Sequence, residues 1–216
     1  MPKSVKNKFI DYERINIVQK DSETDSFTEE RYVQFFHYFK KNTTNVLDIG
    51  CNTGRGGAML KKLDSMLEIS GLDVVKERLK NIPEGIYAKK ILGSSTEIPS
   101  EDEQFDAVVA GEFIEHLYAV DVDLTIFEIF RVLKIGGRAL LTTPNPNYIK
   151  RKAKNRTILG GAHFSQHHND ALRMKLRMAG FSRVKVFGSG RVTRYLGYRF
   201  PMLSVYGSYL IIGDKC

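Results

Sequence analysis

Apolar positions along the chain follow two rhythms. Tyr32, Val33, Phe36 and Phe39, with Phe35 beside them, recur at helical spacing and predict a helix over about 28–41, with Asp25 or Ser26 as its N-cap. Past Asn42-Thr43-Thr44, short apolar runs at 46–49, 67–72, 85–92, 105–110 and 138–143 predict five strands. Helical patterns fill the intervals over about 55–63, 74–80 and 113–133, and residues 134–137 read as a turn. Asp170 heads a last helix that stops at Gly180, the residue type expected just past a helix end. Two more strands are predicted at 182–187 and 206–212. Strands alternating with helices imply a doubly wound, mostly parallel, seven-stranded α/β sheet with helices on both faces. Residues 1–43 stand outside that alternation as an N-terminal segment and helix, a candidate lid. Residues 44–216 then form one domain, with inserts at about 145–168 and 190–205. Sheets of this kind take ligands beyond the carboxyl ends of their strands, so the chemistry is sought there.

Composition narrows the class. With 42% hydrophobic residues in 216, the chain can bury a core without metals or disulfides, which excludes disorder for its bulk. Cys51 and Cys216 lie too far apart for a metal knuckle or a disulfide framework, which suits a reducing, cytoplasmic setting. No apolar run of ~18 residues predicts a membrane span, and no apolar stretch follows the basic start Met1 to Lys6, so no secretory signal is expected. Charge is informative through its distribution. Residues 134–216 carry 16 of the 33 Lys and Arg but only two acids, Asp170 and Asp214. That asymmetry points to an anionic partner at the C-terminal half, or else to a solvated basic face.

The loop after the first strand reads Asp48-Ile49-Gly50-Cys51-Asn52-Thr53-Gly54-Arg55-Gly56-Gly57. A dinucleotide fingerprint needs G-x-G-x-x-G; from Gly50 the second glycine is Asn52, and from Gly54 the third is Met59. The fingerprint fails in both registers. An acid beside the loop would repel a pyrophosphate but suits a cationic ligand, and Asp73, ending the second strand, stands where a carboxylate accepts from ribose hydroxyls. Together they imply an adenosine-type ligand that carries positive charge.

These segments, with Gly93 to Pro99, Phe105-Asp106, Glu115-His116, Arg131 to Gly137 and Thr143-Pro144-Asn145, resemble the class I S-adenosylmethionine-dependent methyltransferases, in particular the small-molecule branch that includes the ubiquinone-biosynthesis type. The resemblance implies S-adenosylmethionine as cofactor. It places Asp48, Gly50, Cys51, Asn52 and Gly54 at its methionine part, and Asp73 with Val74 at its ribose. Ser94 and Ser95 fall along its adenine, with Ser94 where the family carries an acid, and Ala110 to Glu112 pass beside the methionine moiety. The implied activity is methyl transfer to a small or glycan-like, anionic acceptor, most simply at oxygen. An RNA methyltransferase and a non-catalytic S-adenosylmethionine-binding protein stay open as alternatives.

An alcohol acceptor needs a base. His116, just past strand four, can take a proton near neutral pH, or Glu115-His116 can serve only to tie down the loop. His163, after Gly160-Gly161, stands where a lid would close on the acceptor, while His167 and His168 suit the start of the next helix or solvent. A metal on His163 and His167 would find only Asp170 as a further ligand nearby, so no metal is expected. The basic run from Lys150 to Arg156 is either a solvated tether or an arm for a phosphate-bearing acceptor; RNA is a further reading. The aromatic and basic stretch 191–206 either shapes the acceptor pocket, packs on the sheet edge, or rests on an anionic membrane surface. Oligomeric state leaves no mark in these patterns.

Overall fold

The computed structural model describes residues 12–17 and 26–216, so Asp25 as a cap lies outside the described residues. Residues 12–17 are helical. Then follow α1 (Thr28–His37), β1 (Asn45–Ile49), α2 (Arg55–Leu63), β2 (Glu68–Asp73), α3 (Lys76–Asn81), β3 (Lys89–Leu92) and β4 (Phe105–Gly111). A single 3-10 turn (Ile114–His116) precedes α4 (Ala119–Val132) and β5 (Leu133–Pro144). The chain ends with α5 (Ile149–Ala153), α6 (Asn169–Met178), β6 (Ser182–Ser189), α7 (Thr193–Leu196) and β7 (Ser208–Asp214).

Seven strands form one sheet in the order β3-β2-β1-β4-β5-β7-β6. β1 to β5 run parallel, and β7 is antiparallel to both its neighbours. Strand periodicity sends alternate side chains to opposite faces, and two apolar clusters result. Leu47, Ile49, Val108 and Ala110 join Val122, Ile126 and Ile129 of α4 and Leu172 and Leu176 of α6. Val46, Ile69, Ala107 and Val109 join Tyr32 and Phe35 of α1, Leu60 of α2 and Leu79 of α3. β1 lies between β2 and β4, so the crossovers diverge at its carboxyl end and open a crevice there.

Several boundaries depart from expectation. α1 begins after Phe27, with no side-chain cap; the Ser26 hydroxyl instead accepts from Arg191. α6 has His168 at its N-cap, with Asp170 in the first turn. The turn expected at 134–137 is part of β5, where the β4 pairing shifts register and Gly136 takes φ +85°. The helix expected from 113 starts at Ala119, because Leu117 and Tyr118 are extended. The resulting short turn after β4 carries Glu115 and His116.

Candidate active site

A cavity of about 1080 Å³ opens beyond the carboxyl ends of β1 to β4. Gly50 to Thr53, Asp73 with Val74, Gly93 to Ser95 and Gly111 to Phe113 line it, and Tyr12, Asn16 and Arg31 reach it from the N-terminal elements. Tyr12 is anchored there: its hydroxyl donates to Asp121 at 2.7 Å and accepts from the Tyr118 N–H at 2.8 Å.

The loop after β1 spends its amides on the protein. The Gly50 and Cys51 N–H groups both donate to the Leu72 carbonyl (2.8 and 3.1 Å), that of Asn52 to Asp73 Oδ2 (2.9 Å), and that of Gly54 to the Cys51 carbonyl (2.9 Å). A pyrophosphate would need such donors free. Asp73 Oδ1 accepts from the Val75 N–H at 2.9 Å, and burial raises the carboxyl's pKa despite these bonds. Each carboxylate oxygen can accept twice, so Asp73, on the cavity wall, keeps capacity for hydroxyl donors. A wall that carries a carboxylate, and on which the Gly50, Cys51 and Asn52 amides are already bonded, fits a cationic adenosine derivative better than a pyrophosphate.

Asp48 lies behind that wall rather than on it. It is fully buried, and the hydroxyls of Tyr32 and Tyr87 each donate to it at 2.6 Å. A Cβ at Gly56 would overlap the Tyr32 ring, and one at Gly57 the Tyr87 ring. The glycine pair on α2 therefore gives two tyrosines room to meet one carboxylate. Burial pushes the Asp48 pKa up to about 7 against the relief from both hydroxyls. Gly54 and Ala110 likewise do not line the cavity. Gly54 (φ +81°) is the N-cap of α2, and Ala110 is sealed in the core. Gly50, Cys51, Asn52, Asp73, Val74, Ser94, Ser95 and Glu112 do line it. The Ser95 hydroxyl is paired with Thr125 (2.8 Å) and that of Ser94 with Thr96 (2.8 Å). Glu112, at φ +50°, accepts from Ser208 (3.2 Å) and faces Arg31 (3.9 Å).

In the same cavity three groups from two distant segments converge. The rings of His116 and His163 meet edge to face with centroids 4.8 Å apart. His116 Nδ1 lies 3.1 Å from the Ala162 carbonyl and His163 Nδ1 3.1 Å from the Ile158 carbonyl. A carbonyl can only accept, so both Nδ1 atoms carry a hydrogen, and in an uncharged ring the Nε2 atom keeps a lone pair. Glu115 is 1% exposed; its Oε2 accepts from Thr143 at 3.0 Å, while its Oε1 has no partner among the described residues. Burial and the neighbouring charge of Glu112 raise the Glu115 pKa well above the carboxylate range. Burial, then His163, pushes His116 down to about 4.

His163 thus meets His116 and Glu115, and not His167. His167 is buried beneath, within 2.7 Å of the Ser165 hydroxyl, and His168 faces solvent. Phe164 and Ser165 pin this segment through their N–H groups to the Glu115 carbonyl (2.8 and 3.2 Å). Glu115 as a cavity group and the tyrosine pair around Asp48 are not separable from core residues by spacing. Lys150, Lys152, Lys154 and Arg156 are exposed and lie off the cavity wall, but Gly160 to His163 and Gly190-Arg191 at the ends of the two inserts are part of it. Tyr195 is exposed rather than packed on the sheet edge. No helix among the described residues is long and apolar enough to cross a membrane.

Residues 47–141 match the family model described as a methyltransferase domain. The chain is 36% identical over 110 residues to a fatty-acid O-methyltransferase of Mycolicibacterium smegmatis, covering 48% of this chain and 38% of that one. It is 34% identical over 110 residues to the mitochondrial ubiquinone biosynthesis O-methyltransferase of Homo sapiens, covering 46% and 28%. It therefore spans well under half the length of these curated relatives. A crystal structure of a SAM-dependent methyltransferase from Archaeoglobus fulgidus shares the fold, with TM-score 0.68 and 23% identity over 87% of this chain and 92% of that one.

Proposed function

We propose that this chain, whose residues 47–141 match the methyltransferase-domain model, is a class I S-adenosylmethionine-dependent methyltransferase that methylates a hydroxyl of a small or glycan-like, anionic acceptor. S-adenosylmethionine supplies a methyl group already activated on a sulfonium. Asp73 would hold the ribose, the Gly50 to Asn52 backbone and Glu112 the methionine part, and Ser94 the adenine edge, with Val74 and Ser95 shaping the wall.

The observation that carries the reading is the Glu115, His116 and His163 cluster in that same cavity. Displacement at a sulfonium methyl needs mainly in-line placement, but an alcohol must also lose its proton. His163, with a lone pair at Nε2, is placed to take that proton. His116 stays uncharged beside it at neutral pH because its pKa is low. The fatty-acid and ubiquinone biosynthesis O-methyltransferases among the relatives point the same way. The anionic character of the acceptor rests on the basic insert leading to Gly160 and on Arg191 at the wall. Residues 12–17, anchored through Tyr12, would serve as the lid, in a cytoplasmic or membrane-peripheral enzyme.

Calorimetric titration with S-adenosylhomocysteine, with NAD as control, tests the cofactor. Micromolar binding of the first alone is expected, and equal binding of NAD would sink the assignment. Transfer of labelled methyl to pools of small anionic alcohols, with RNA as a parallel pool, tests the acceptor. Label in RNA alone would overturn the small-acceptor reading, and binding without transfer to any pool would favour a non-catalytic protein.

A further inference from the structure

α4 begins without a cap of its own. Tyr118 holds its N-cap position, and the Tyr118 side chain makes no capping bond. A capping box would place Glu or Gln three residues on, reaching back to the N-cap N–H. The residue there is Asp121, whose side chain is one methylene shorter. The Tyr12 hydroxyl spans the gap: it accepts from the Tyr118 N–H at 2.8 Å and donates to Asp121 Oδ2 at 2.7 Å. The start of α4 is thus completed by a residue 106 positions away in the chain.

The contact continues from Tyr118 toward the loop that carries His163. The Tyr118 ring meets the Tyr12 ring, with centroids 5.7 Å apart, and stacks on the Phe164 ring at 4.9 Å and 27°. Tyr118 is 45% exposed, so its ring is placed by these two neighbours rather than by the core. Phe164 follows His163 directly and is tied by its N–H to the Glu115 carbonyl at 2.8 Å. At the other end of the N-terminal segment, Arg78 of α3 donates to the Asn16 carbonyl at 2.5 Å. Residues 12–17 therefore bridge α3 and α4, the helices that follow the two strands flanking β1. Tyr12, Ile15 and Asn16 line the same cavity as Asp73 and His163.

We infer that Tyr118 is a positioning residue that couples the two sides of the cavity. A ligand held under residues 12–17 sets the placement of Phe164, and with it His163, through the Tyr12 hydroxyl and the Tyr118 ring. The role rests on the methyltransferase reading, in which that ligand is S-adenosylmethionine; the coupling itself does not. When Tyr12 withdraws, Tyr118 loses the acceptor for its N–H and one of its two ring neighbours, and Phe164 then stacks on an unrestrained partner. Filling the cofactor side thereby completes the acceptor side. Linkage requires the converse: an acceptor that orders residues 160–165 tightens cofactor binding by the same factor. The acceptor therefore binds better to the cofactor-loaded chain than to the empty one.

Amide hydrogen exchange across residues 160–165, followed by mass spectrometry, tests the coupling. S-adenosylhomocysteine is expected to slow that exchange about tenfold in the wild type and in Tyr118→Phe, which keeps the ring. In Tyr118→Ala it should bind and leave the exchange of those residues unchanged. A double-mutant cycle without any ligand gives a second arm. Tyr12→Phe alone should speed exchange across 160–165 several-fold, and should add nothing further in Tyr118→Ala. Bound S-adenosylhomocysteine that leaves the wild-type loop unslowed, slowing that survives Tyr118→Ala, or Tyr12 and Tyr118 effects that simply add, each overturns the inference. If S-adenosylhomocysteine binds none of these proteins while the ligand-free cycle is non-additive, the methyltransferase reading falls and the coupling stands. Binding with an additive cycle removes the coupling alone.

Discussion

The two sides of the cavity are built in opposite ways. The side proposed for the cofactor comes from residues immediately following β1, β2 and β3, and its loop amides and Asp73 are bonded to one another before any ligand arrives. Behind it, Asp48 ties α1, β1 and the segment leading into β3 together through two tyrosines. The side proposed for the acceptor is assembled from the turn after β4 and a loop 47 residues further on, joined through Phe164 and Ser165 to the Glu115 carbonyl, and it leaves Glu115 Oε1 without a partner among the described residues. A ligand shared across a fold family can be met by a rigid wall. A particular acceptor needs groups whose valence is still open, and those come from loops that the sheet does not dictate.

Five changes would sharpen or break that contrast. Gly56→Val should be the most damaging, because its side chain would overlap the Tyr32 ring and cost the buried Tyr32–Asp48 bond. A loss of about 3 kcal/mol is expected, and thermal unfolding within a degree of the wild type would show that Asp48 is not held as described. His163→Ala should lower turnover about a hundredfold or more while leaving S-adenosylhomocysteine affinity unchanged; equal loss of both would merge the two sides into one. Asp73→Ala should do the converse, weakening S-adenosylhomocysteine by about 1–3 kcal/mol, as read by calorimetry.

A smaller effect is expected from pH. Asp48 in the folded chain titrates near 7, against its ordinary 3.8, so the fold binds an extra proton between those values. Stability from this group is complete below about 4 and is lost as pH rises through 7. Asp48→Asn should flatten that slope in denaturant titrations, and an unchanged slope would place its origin elsewhere. The smallest change should come from neutralising the exposed Lys150, Lys152 and Lys154, which raises the acceptor's KM several-fold at low salt and hardly at all at high salt. A salt-independent KM would leave that run a solvated tether.

Much of the cavity wall at the ends of β1 to β3 was legible in advance. Asp73 and the Gly50 to Asn52 loop follow apolar strands at intervals that any parallel α/β sheet enforces, since each strand end must deliver its next residues to the same edge. Asp48 was legible as a marker and misleading as a contact. Its place in the motif fits a ligand role, yet strand alternation turns it toward the face where Tyr32 and Tyr87 lie. The helix expected from residue 113 failed for a related reason. Its periodicity is real from Ala119, but Leu117 and Tyr118 are extended, which frees Glu115 and His116 from helical geometry.

From its sequence alone this protein is a doubly wound sheet with a carboxylate-bearing crevice at β1, because hydrophobic period and strand-end chemistry are local properties that survive without knowledge of contacts. What only the tertiary structure decided is which histidines share a site. His163 and His167 are four residues apart and point to different partners, while His163 and His116 are 47 apart and touch. The backbone bonds from Phe164 and Ser165 to Glu115 make that choice, and such a contact across the sheet edge leaves no period in the chain to read.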